Sequence, residues 1–229
     1  MAKSVFLSLI FVIKTYIFLL QKFMGKHLKS LDHDILSRIT RKGHGYVFTP
    51  ADLLDLGNRN AVGQILLRNC RAGTIRKLAR GLYDYPRQHS RLGTLPPSID
   101  DIARALQGKD ASRLQPSGAH AANMLGLSNQ VPVRAVFLTD GRSRKVQIGQ
   151  QMIILKKTTP RQMITTGRIG GTVIQALRWL GQRNVDDNLI AKLKRKLPNR
   201  DKQRLLEDVR YAPVWIGNVM RRVAGKMAR

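Results

Sequence analysis

The segment TPADLLDLGNRNAVGQILLRNCRAGTIRKLARGLYDYP, residues 49–86, narrows the folds open to this chain more than any other stretch. Thr49 is placed to cap a helix, Pro50 suits its first position, and Asp52 sits where a capping-box acid favours the positive helix end. Leu53, Leu54 and Leu56 then supply a buried face. Gly57 breaks that helix, Asn58 is placed to cap a second, and Val62, Ile65, Leu66 and Cys70 recur at helical spacing as its apolar stripe. Gly73 stops the second helix, and Thr74 to Tyr85 predicts a short hairpin with Ala79-Arg80-Gly81 at its tip. Helix, tight turn, helix and basic hairpin is the order of a winged helix-turn-helix.

The face of the second helix opposite its apolar stripe carries Arg59, Asn60, Gln64, Arg68 and Arg71. Arg can bond guanine edges in bidentate fashion, Asn and Gln can do so with adenine, and the remaining cations meet phosphates. Arg76, Lys77 and Arg80 on the hairpin are the candidates for backbone contact. Asp84 is the single acid between Asn58 and Arg91. We therefore expect duplex DNA contacts at Arg59, Asn60, Gln64, Arg68, Arg76, Lys77 and Arg80.

The whole chain repeats this imbalance: 41 Lys and Arg against 14 Asp and Glu give a net charge of +27 over 229 residues. Such charge favours a polyanion, nucleic acid first and anionic lipid second. Cys70 is the sole cysteine, which leaves no disulfide framework and no thiolate zinc site and fits a reducing cytoplasm. Five histidines, at 27, 33, 44, 89 and 120, lack the pairwise spacing of a metal motif. No cofactor or metal is expected, and His44 is assigned to the turn after the first helix.

Residues 4–23 form a nearly continuous apolar run interrupted by Lys14. A spanning helix needs about 20 apolar residues, and a lysine near its centre disfavours insertion by roughly 2.5 to 3.5 kcal/mol. We expect residues 1–23 to precede the true start at Met24, with a membrane anchor or a cleaved signal as the alternatives. From Ser30, placed as a cap, Leu31, Ile35, Leu36 and Ile39 predict the first helix of a domain spanning residues 24–86. Tyr46-Val47-Phe48 either packs beneath the helices or pairs as an extra strand.

Residues 87–97 have the Pro, Gly and polar content of a linker, and residues 98–229 predict a mixed α+β domain. Ser98 to Asp101 makes a capping box, and Ser117 to Leu125 opens a further helix. Val131 to Leu138 predicts a buried strand, Asp140-Gly141 a turn, and Lys145 to Ile148 and Met152 to Lys156 two strands around Gly149-Gln150. From Ile169 the chain returns to helices, over Val173 to Leu180, Leu189 to Leu197 and Arg200 to Val209. The glycine-rich Thr166 to Thr172 lacks the Lys-Ser/Thr ending of a phosphate loop and is assigned to a flexible helix start. Asp187 belongs to a helix start rather than to an acidic pair with Asp186, and Ser117 has no nucleophile context. Trp179, Trp215 and Tyr211 are core anchors or partner contacts. No catalytic residue is expected, and the chain is not expected to be an enzyme.

The runs GHGYVFTPADLLDLGNRNAVGQILLRNCRAGTIRKLARGLYDYP, RLGTLPPSIDDIARAL, RLQPSGAHAANMLGLSNQVP, FLTDG and LRWLG together resemble the AbiEi-type antitoxins of bacterial abortive-infection systems, over Leu31 to about Tyr211. The resemblance implies an N-terminal winged helix-turn-helix that represses its own operon and a C-terminal domain with antitoxin activity. It implies as partners an operator with inverted repeats and a nucleotidyltransferase-like toxin, the latter without a stable complex. Residues 1–23 fall outside the pattern, so a membrane partner is not expected. The competing readings are a membrane-tethered basic interaction protein and a plasmid or phage DNA-binding regulator without a toxin.

Overall fold

Leu31, Ile35 and Ile39 recur on one face of a helix over residues 30–42 (α1), and all three are buried. The computed structural model describes residues 30–108, 113–130 and 132–225. The apolar run of residues 4–23 and the Met24 start lie outside the described residues, as does Val131, the expected start of the buried strand. Ser30 is already helical, so it is not the cap. Gly43 and Gly45, both at positive φ, then reverse the chain, with His44 between them stacked on Tyr85.

Val47–Phe48 (β1) is a strand of only two residues with both side chains buried. Thr49 follows, and its backbone N–H and hydroxyl both donate to the Asp52 carboxylate, at 2.8 and 2.9 Å. The expected first helix of the pair is no more than one 3-10 turn, Pro50–Leu53. Leu53 is buried there, but Leu54 is 45% exposed and Leu56 only partly covered, because one tight turn cannot hold three leucines on one face. Gly57 is needed for a different reason than chain reversal. A Cβ there would lie 2.8 Å from the Leu31 side chain, so the turn presses directly on α1.

Arg59–Arg71 (α2) begins at Asn58, whose side chain accepts from the Ala61 N–H at 2.9 Å. Val62, Ile65 and Leu66 are buried against α1, β1 and Ile75. The fourth buried position is Asn69, not Cys70, which sits at the edge. After Gly73 the strands Arg76–Ala79 (β2) and Leu82–Asp84 (β3) pair antiparallel around Arg80-Gly81, and β1 pairs with the far edge of β3. The resulting sheet has the order β1-β3-β2.

The expected linker carries structure of its own. Arg87–His89 (β4) and Gly93–Leu95 (β5) form a second hairpin, with Leu92 exposed near its tip. Ser98 then caps Ile99–Gln107 (α3), accepting from the Asp101 N–H at 3.1 Å. Leu114–Ser117 (β6) was not anticipated from sequence; Ser117 is its last residue and borders Gly118–Met124 (α4). Arg134–Thr139 (β7), Arg144–Ile148 (β8) and Gln151–Lys157 (β9) complete a mixed sheet of order β6-β7-β9-β8, with β7 and β9 parallel and the other pairs antiparallel.

The two expected domains share a core. Val47 and Leu82 from the first sheet pack in one cluster with Ile102, Ala103, Phe137 and Ile153. Each of these side chains larger than Ala103, fully removed from water, contributes about 1.5 to 3 kcal/mol. A second cluster is helical: α4, Ile169–Leu180 (α5), Asp187–Lys196 (α6), Asn199–Asp208 (α7) and Val214–Val223 (α8). Asp187 does start α6, and Asp186 caps it by accepting from the Leu189 N–H at 2.8 Å. In the 166–172 segment Gly167 takes a φ of 75° in open space, whereas Gly170 and Gly171 serve close packing rather than flexibility. A Cβ on Gly170 would meet the Asp208 carboxyl and one on Gly171 the Thr165 carbonyl. Trp215 packs against the helical cluster, whereas Trp179 is 49% exposed.

Among the described residues no helix is long and apolar enough to cross a membrane, and no group of three His, Cys, Asp or Glu could hold a metal ion.

Candidate nucleic-acid interface

An apolar stripe every three or four residues turns one side of α2 inward and thereby fixes what the other side shows. Arg59, Asn60, Gln64, Arg68 and Arg71 are all exposed on that outer side, together with Gly63 and Leu67. No acid lies anywhere in the helix. A Cβ at Gly63 would meet nothing within 4 Å, so packing inside the protein does not require a glycine there. A helix-interior glycine costs about 0.5 to 1 kcal/mol relative to alanine, and what it provides is room for another surface to approach the backbone.

Asp32 on α1 steers the lower end of this face. Its carboxylate accepts from the buried Asn69 amide at 2.8 Å and lies 3.1 Å from the Arg68 guanidinium. Asn69 also donates to the Ile65 carbonyl at 3.0 Å, so it fixes Asp32 from inside the core while Arg68 reaches it from outside. The sequence offered one clue to Asn69: it falls four residues after Ile65 and seven after Val62, in phase with the buried stripe. Cys70 is half-buried beside it, and burial pushes its thiol up, away from reactive thiolate character.

The hairpin residues divide. Lys77 and Arg80 are exposed, Arg80 in the two-residue turn where Gly81 takes a φ of 70°. Arg76 is not part of that free surface. Its guanidinium holds the buried Asp84 carboxylate through two bonds, of 3.0 and 2.6 Å, and donates to the Leu95 carbonyl at 3.0 Å. Assigning Arg76 to backbone contact overlooked this cross-strand partner, and its role is to neutralise an acid in the sheet. Asp84 therefore does not offset the exposed cations of the hairpin. Arg87 lies over Gly45, where any Cβ would collide with it, and reaches Asp101 at 3.7 Å, so it ties β4 to the earlier turn and to α3.

The structure thus gathers Arg59, Asn60, Gln64 and Arg68 on one helix face, follows them with Lys77 and Arg80 on the next hairpin, and removes Arg76 from the set. Gly63 is the member that residue chemistry alone did not suggest. Elsewhere, His120 is buried with its Nε2 3.3 Å from Asp100, and that hydrogen bond holds the Asp100 carboxyl below the usual carboxylate range. This pair joins α3 to α4. Among curated proteins none matches the chain. Residues 34–205, which take in α2, both hairpins and the mixed sheet, match a family of unknown function (DUF6088), and the chain belongs to that family.

Proposed function

We propose that this chain is a DNA-binding regulator that inserts α2 into the major groove of duplex DNA and rests the Arg80 turn of the β2–β3 hairpin on the adjacent backbone, as a winged helix-turn-helix. The observation that carries the reading is the outer face of α2, which contributes no acid of its own and on which Arg59, Asn60, Gln64 and Arg68 surround the bare backbone at Gly63. A groove floor needs amide and guanidinium donors, and its walls need cations close to phosphate. The element order α1, β1, turn, α2, β2, β3 and the pairing of β1 with β3 support a wing that follows the recognition helix. The overall charge of +27 supports a polyanionic partner.

On the same reading the protein is a cytoplasmic autorepressor and antitoxin, its operator a repeat-bearing stretch of its own promoter and its toxin nucleotidyltransferase-like. Fluorescence anisotropy on promoter DNA, at two salt concentrations, tests the DNA half. Gln64→Ala should lose about 1 to 3 kcal/mol of discrimination between operator variants, whereas Arg80→Ala should weaken all duplexes alike and lower the salt slope by about one. Identical behaviour of both variants and the parent protein would refute the groove assignment. Growth on co-expression with the neighbouring reading frame tests the antitoxin half.

A further inference from the structure

A cavity of about 370 Å3 opens where the 3-10 turn Pro160–Met163, the middle of α5 and the turn Val209–Tyr211 meet. Three arginines from these three separate elements line it: Arg161, Arg178 and Arg210. None of them has an acidic partner among the described residues, and all three are exposed to solvent at the cavity mouth. Deeper in, two polar side chains line the same cavity although they are over nine-tenths buried. Gln175, 8% exposed, accepts the Ser117 hydroxyl on its amide oxygen at 3.2 Å, which leaves its amide nitrogen without a protein acceptor among the described residues. Thr165, 6% exposed, has its carbonyl bonded to the Arg168 N–H while its hydroxyl has no such partner.

An amide nitrogen and a hydroxyl that open onto the same cavity as three unpaired guanidiniums, and that find no protein partner among the described residues, point to a polar ligand between them. We propose that this cavity binds a small phosphorylated molecule, its phosphate held among Arg161, Arg178 and Arg210 and its uncharged part contacting Gln175, Thr165 and the Tyr211 ring. Arg fits phosphate because its planar donors match two oxygens at once, and a volume near 370 Å3 lies within the small-molecule range and exceeds what a bare phosphate fills. Arg210 sits 4.8 Å from the centre of the Tyr211 ring, a cation–π contact at the cavity. The site lies on the helical half of the protein, shares no residue with the α2 face, and stands whether or not that face binds DNA.

Isothermal titration of the full chain with pyrophosphate, ADP and adenosine tests the assignment. Pyrophosphate or ADP should bind saturably, and Arg178→Ala and Arg210→Ala should each weaken that binding about tenfold or more, while Arg144→Ala, which removes an equal charge from the exposed side of β8, leaves it unchanged. Both arginines are exposed, so their removal leaves the fold intact, and circular dichroism verifies this. ADP binding tighter than pyrophosphate places the nucleoside in the cavity; equal binding places the diphosphate alone there, and either upholds the phosphate site. No saturable binding of either anion, adenosine binding as well as ADP, or equal loss in Arg144→Ala would overturn it.

Discussion

Arg76 and Asp84 face each other in register across the β2–β3 hairpin, and the guanidinium of one closes on the carboxylate of the other while Asp84 is 1% exposed. Two arginines four residues apart, Arg76 and Arg80, therefore do different things, one inside the sheet and one at its turn. Arg76→Ala leaves a buried carboxylate alone and should destabilise the fold by about 3 kcal/mol, read as a lower urea midpoint. Arg80→Ala should change stability by less than about 0.5 kcal/mol and, on the proposed docking mode, act only on duplex affinity. Equal stability of the two variants would contradict the division.

Gly63 offers a change in which fold and function move in opposite directions. Gly63→Ala adds a methyl to open space in mid-helix, so it should raise stability by about 0.5 to 1 kcal/mol. On the proposed docking mode the same methyl stands between the α2 backbone and the groove, and duplex affinity should fall. A variant that is both more stable and an unimpaired binder would remove Gly63 from the interface.

Acid should loosen the contact between α3 and α4. The hydrogen bond from His120, the largest cause, lowers the Asp100 carboxyl below its ordinary value of 3.8. A depressed folded value means that the stabilisation is fully present above the unfolded value and disappears as pH falls from about 3.8 through the folded one. Solvent screening keeps the effect small, because Asp100 remains partly exposed. Melting temperatures of the parent and Asp100→Asn should differ at neutral pH and converge toward the acid end; a constant difference would argue against the pair.

A fragment ending at residue 97 should not fold cooperatively. Removing the rest of the chain strips Ile102, Ala103, Phe137 and Ile153 from Val47 and Leu82, leaving both of the latter in water. Chemical denaturation should show a broad, low-amplitude transition, and the proposed duplex binding should be lost with it. A sharp transition in that fragment would demonstrate an autonomous N-terminal half.

What sequence revealed was local. Asn58, Ser98 and the Thr49-Asp52 box act within three residues of themselves, so their chemistry can be recognised from spacing alone, and each makes the expected bond. The α2 face was legible for the same reason, since helical period assigns inside and outside together. What failed depended on partners distant in the chain. Asn69 is buried because Asp32, 37 residues earlier, receives its amide, and Arg76 is occupied because the hairpin register brings Asp84 opposite. Residues 87–97 have a loop's composition yet pair as β4 and β5, and β6 became a strand only because β7 lies beside it. Gly170 and Gly171 looked like slack and are instead points of closest approach.

The cluster that joins Val47 and Leu82 to Phe137 has a consequence for how such chains diversify. An N-terminal head of this construction is not an interchangeable cassette. Grafted onto a foreign tail, it would arrive with an apolar seam and nothing shaped to close it. Swaps between relatives should succeed only when the donor tail brings matching counterparts of Ile102, Phe137 and Ile153, so the two ends are bound to change in step.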